Sequence, residues 1–229
     1  MLRTLWRKKV LIVFLVALLV LLPAASVRPA QALSKNVFLS VGIEKSAAGV
    51  TVTGVAMFGA RTSGGGGAGG GGAGEKPKSV SGDGATVEEA FEQITANSGR
   101  AVSLAHCNML VLGASLAGEN VAEILRYFIE RFEISSNALL VWTDAPVADV
   151  LDASFAARAD SPGGSLETIA AYNQETLFKR PLTLDKFYKD YLKGRDGYMS
   201  AVTLTEGEIC NTQLLAAFAG GVFKGWEGC

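Results

Sequence analysis

One histidine, three cysteines and a glycine-rich run are the features of this 229-residue chain whose types could carry chemistry. His106 and Cys107 are adjacent and have the identities of a general base and a nucleophile. The composition over 101–112 predicts a strand, however, where neighbouring side chains point to opposite faces and cannot pair as a dyad. Cys107 therefore reads as a buried small hydrophobe, and His106 as a structural residue bonding a turn or a neighbouring helix. With a single histidine there is no ordinary zinc-ligand spacing. The expected catalytic, cofactor-binding and metal-ligating residues are none.

The run from Gly64 to Gly74 has the composition of a phosphate-cradling loop. Glu75 stands where a phosphate-binding lysine is needed, and Pro77 where the binding helix should begin. The span 62–76 is read instead as a flexible loop between elements, because glycine carries too much backbone entropy to order itself there. Glu119, Glu123, Arg126, Glu130, Arg131 and Glu133 fall at spacings that make surface ion pairs on a helix, with no pocket to turn carboxylates into an acid and a base. Tyr172, Phe178, Phe187, Tyr188 and Tyr191 form an aromatic group in the last third of the chain. At helical spacing, Leu184, Phe187, Tyr188 and Tyr191 are expected in the core rather than around an apolar ligand. Cys210 and Cys229 are the candidate disulfide.

These residues must be positioned by elements that the hydrophobic pattern predicts. Strands at 36–43 and 50–58 flank a polar turn. Thr86 and Glu89 make a capping box for a helix that buries Val87, Ala90, Phe91 and Ile94 and stops near Gly99. After the strand at 101–112, Val121, Ile124, Leu125, Phe128, Ile129 and Phe132 trace the apolar stripe of an amphipathic helix. A strand at 138–143, a short helix at 147–151 led by Pro146, helices at 166–177 and 184–192, and strands at 199–204 and 214–226 complete the order. Helices alternating with strands after a hairpin predict an α/β (α+β) domain, a mixed sheet flanked by helices.

The N-terminus predicts where this domain works. Arg3, Arg7, Lys8 and Lys9 precede thirteen apolar residues from Val10 to Leu22, and Ala30-Gln31-Ala32 follows. This is the order of a secretory signal peptide, with cleavage after Ala32. The alternative is an uncleaved anchor extended through Ala24 and Ala25. Removal of residues 1–32 takes five of the 21 basic residues and none of the 22 acidic ones, leaving a net charge of −6. Such a body has no electrostatic footprint for nucleic acid. The span 33–229 is long enough for one domain.

The order of segments resembles the N-terminal domain of the Ger(x)C proteins, the C subunits of spore germinant receptors. The resemblance begins at Val41-Gly42-Ile43-Glu44-Lys45 and is densest from Thr86 to Leu151, with Val111-Leu-Gly-Ala-Ser-Leu-Ala117 and Arg131-Phe132-Glu133-Ile134 among its landmarks. Pro181 to Phe187, Ala216-Ala217-Phe218 and Val222 to Trp226 are similar to later ones. The resemblance implies a noncatalytic, exported, membrane-associated subunit that acts in germination through receptor assembly or signal transmission. Its implied partners are polytopic receptor subunits, and its place is the outer face of the cell membrane or the spore inner membrane.

Three departures accompany it. The family's lipobox cysteine has no counterpart before Cys107, so retention would rely on the N-terminal helix or on a protein partner. The chain ends near the last landmark, and the glycine run reads as an insertion. The alternative function is an envelope interaction or solute-binding protein unrelated to germination. An exported hydrolase would need an oriented base that a single histidine does not supply.

Overall fold

A hairpin opens the fold. β1 (Lys35–Ser46) pairs antiparallel with β2 (Gly49–Ala56), from Phe38↔Ala56 to Ser46↔Gly49. The structure, a computed structural model, describes residues 35–56, 79–131, 133–160 and 165–228. The predicted end of the second strand at Phe58, the glycine loop 62–76 and the signal segment 1–32 lie outside them. β3 (Ser79–Gly84) extends the sheet beyond β2 and was not expected, because Ser-Val-Ser-Gly-Asp-Gly shows no β-branched alternation. Its glycines answer to packing: a Cβ on Gly82 would lie 2.4 Å from the Ala90 carbonyl oxygen, and one on Gly84 2.6 Å from the Ala90 nitrogen.

The helix that presses on β3 is α1 (Val87–Ser98), which buries Val87, Ala90, Phe91 and Ile94 as its spacing predicts. Thr86 Oγ1 accepts from the Glu89 amide at 3.2 Å. The Glu89 carboxylate reaches back one residue further than a standard capping box, to the Ala85 amide at 2.9 Å. Gly99, at φ 64°, ends the helix in the left-handed conformation.

The single strand expected over 101–112 is two strands, β4 (Ala101–Ser103) and β5 (Met109–Gly113). Both pair with β1, so the chain must turn between them. Buried Leu104 anchors that turn, and its carbonyl accepts from the Cys107 amide at 2.9 Å. A short 3-10 turn, Ala114–Leu116, leads into α2 (Val121–Arg131). Val121, Leu125 and Phe128 are buried as the stripe predicts, and Ala122 joins them. Ile124 and Ile129 pack at the margin, and Phe132 lies outside the described residues.

β6 (Leu139–Thr143) follows, then α3 (Val147–Asp160), which is far longer than the helix expected at 147–151. Its second half is rich in alanine, a strong helix former that leaves little amphipathic trace. α4 (Leu166–Tyr172) runs into a π-helical turn, Asn173–Leu177, and α5 spans Leu184–Leu192 as expected. The end of the chain is three strands: β7 (Gly197–Thr205), β8 (Glu208–Ala219) and β9 (Val222–Glu227). The one strand expected over 214–226 is broken at Gly220-Gly221, both at positive φ, as a two-residue hairpin turn requires.

The nine strands among the described residues form one sheet in the order β3-β2-β1-β5-β6-β7-β8-β9, with β4 beside β1. Its centre, β1-β5-β6-β7, is parallel, and both flanks are antiparallel. Central strands are covered on both faces, so their residues divide between two cores. Leu110, Leu112, Leu140 and Trp142 meet α1, α2 and α5. Met109, Val111, Val141 and Val202 meet α3 and α4. The mixed sheet flanked by helices matches the expected fold class, and the residues from Asn36 on pack as one unit.

Candidate functional site

The residues with the most reactive chemistry are separated by their turn. Cys107 is 1% exposed, and its thiol donates to the Met109 carbonyl at 3.4 Å. Burial pushes that thiol up to about 12, so it stays protonated near neutrality and is a poor nucleophile. His106 is exposed beside it. The two are split as expected, but by a turn rather than by strand alternation. Cys210 is half-buried at the start of β8, while Cys229, its candidate partner, lies outside the described residues. Ala32 also lies outside them. Among the described residues, no group of three or more His, Cys, Asp or Glu gathers as a metal site.

Carboxylates on and beside α2 are engaged at the surface. Arg126 binds Glu123 at 2.8 Å and Glu130 at 3.5 Å, Lys45 binds Glu119 at 2.5 Å, and Arg131 pairs with Glu88. Exposed pairs of this kind contribute little stability. The five aromatics gather only in part: Tyr188 and Tyr191, both half-buried, have ring centroids 6.0 Å apart, Phe187 is buried against Phe218 at 5.4 Å, and Tyr172 is half exposed. Tyr191 joins a polar lock that the sequence reading missed. Its hydroxyl donates to Glu123 at 3.1 Å and accepts from Asn120 at 3.3 Å. The Asn120 side chain also caps the Ala122 amide, while the Gly221 carbonyl of the β8–β9 turn accepts from the Val121 amide at 2.8 Å.

Two concavities among the described residues are candidate sites. The larger, about 540 Å³, lies between α1 and α2. Phe91, Leu104 and Tyr127 line it, with Glu88, Glu92 and Glu133 at its margin. The Arg131 guanidinium sits 5.0 Å over the Tyr127 ring, and burial raises the Tyr127 hydroxyl above its usual range. The groove is thus apolar in its floor and acidic in its rim.

The second, about 250 Å³, lies where α5 meets β7. Asp190 is its buried centre, held by Lys186 from one side and by Arg195 at 2.5 Å from the other. Burial works to raise the Asp190 carboxyl, but the hydrogen bond and charge of Lys186, joined by Arg195, outweigh it and hold the group below the usual carboxylate range. The Arg180 guanidinium lies 4.5 Å over the Tyr198 ring at the edge. The i, i+4 spacing of Lys186 and Asp190 was the available sequence signal for this cluster. Among the described residues, neither concavity places a nucleophile beside a base.

Comparison with known proteins adds the family. The Spore_GerAC_N profile, the spore germination protein N-terminal domain, matches residues 35–204, from the first residue of β1 into β7. No curated protein matches the chain. Among solved structures, the crystal structure of the GerBC protein is similar at 14% identity with a TM-score of 0.40. The match covers 82% of this chain and 51% of that one, so the chain spans about half the length of GerBC. The chain belongs to the spore germination protein N-terminal domain family.

Proposed function

We propose that this chain acts in spore germination as a noncatalytic receptor component resembling a C subunit, contributing to assembly or signal transmission through protein contact. The observation that carries this reading is the family match over residues 35–204, which takes in the parallel centre of the sheet and the five α-helices of the described residues. The side-chain chemistry accords with it: burial keeps the Cys107 thiol protonated and makes it a poor nucleophile. Export rests on the N-terminal signal pattern, and the body works outside the cytoplasm, at the outer face of the membrane. Its partners are the polytopic receptor subunits.

Pull-down of the tagged chain from solubilised membranes of sporulating cells, followed by mass spectrometry, tests the partnership. Recovery of polytopic receptor subunits is expected. A chain free in the soluble exported fraction, with no membrane-embedded companion, would overturn the assembly reading.

A further inference from the structure

We infer that the outer side of α5, with the loop that enters it, is a docking surface for the anionic headgroups of a phospholipid membrane. Six of the chain's 21 lysines and arginines fall between 179 and 195: Lys179, Arg180, Lys186, Lys189, Lys193 and Arg195. Only Asp185 and Asp190 oppose them in that span, on a body whose net charge after residue 32 is −6. A local basic excess on an acidic protein is positioned charge, since it runs against the average.

The fold turns this excess outward. α5 buries Leu184, Phe187 and Asp190 and leaves Lys189, Lys193 and Arg195 exposed. Both acids are already occupied, Asp185 by Lys189 at 2.8 Å and Asp190 by Lys186 and Arg195. Among the described residues, Lys179, Arg180 and Lys193 have no carboxylate partner. Leu192, 67% exposed, directly precedes Lys193 in the chain and is a large apolar side chain that can enter the headgroup boundary. Clustered cations near an anionic leaflet attract it cumulatively and within a Debye length.

The inference rests on the membrane-associated reading above, but it is tested without any receptor protein. An environment-sensitive fluorophore is attached to the full chain at Leu192→Cys, in a background carrying Cys210→Ser and Cys229→Ser. Emission is read on protein-free phosphatidylcholine vesicles with and without phosphatidylglycerol. The expected result is a blue shift that requires phosphatidylglycerol and is lost in high salt. Adding Lys189→Glu with Lys193→Glu should weaken the docked state by about ten-fold or more. Both changes are exposed, and an unchanged circular dichroism melt shows that the fold persists.

Emission indifferent to phosphatidylglycerol, or a shift that survives the charge reversal, would overturn the proposal. A shift seen in native membranes but absent on protein-free vesicles would also overturn it, by assigning the surface to an acidic protein partner. Failure of receptor capture with a positive vesicle result would strike the receptor reading alone.

Discussion

Asp190 remains charged while buried because Lys186 and Arg195 reach it together. Its folded carboxyl is depressed below the unfolded value, so between those two values the unfolded chain binds more protons. The stability it adds is therefore present above the unfolded value and is lost as pH falls through the folded one. Asp190→Asn should cost about 1–2 kcal/mol at neutral pH and progressively less in acid, read from urea unfolding midpoints across pH. A variant equally destabilised at both ends of the range would contradict this. Cys107 offers a second test. Buried and protonated, it should resist a thiol reagent in the native chain and react only on unfolding; mass mapping of the modified cysteines decides, and modification of Cys107 in the native chain would contradict its burial. Gly42 is a matter of space: a Cβ there would stand 2.0 Å from Val147 Cγ1, so α3 would have to move off β1. Gly42→Ala should lower stability by about 1–3 kcal/mol, and an unchanged unfolding midpoint would remove this reason for the glycine.

Among the elements, those with a strong period or a cap were legible. α1 and α5 fall where capping residues and apolar spacing place them, and Thr86→Ala should cost about 1 kcal/mol in thermal or urea unfolding through loss of the cap. What escaped did so for local reasons. β3 is strand by virtue of its neighbour β2 and of α1 lying over its glycines, neither of which is visible in Ser79–Gly84 itself. The turn at Leu104–Asn108 is hidden in an apolar composition, because both flanking strands feed the same β1. Gly220-Gly221 was a readable turn signal passed over in a long apolar stretch. Of the candidate sites, the separation of His106 from Cys107 was legible in outcome. The Asp190 cluster was not, because burial of an aspartate on an otherwise charged helix is decided by tertiary packing.

At the scale of the molecule, a parallel centre closed by antiparallel flanks leaves two helical layers with different surfaces. On one layer, α2 carries paired acids and arginines, while α5 beside it carries a basic excess. The family match extends from β1 into β7, and the β8–β9 hairpin, which locks onto α2 through Gly221, follows the matched residues. The central claim is a role in germination, and the most direct measurement is the loss of optical density by spores after germinant addition. Spores lacking the chain should respond more slowly than those in which it is restored. Equal kinetics in the two strains, with every germinant to which the organism responds, would contradict the claim.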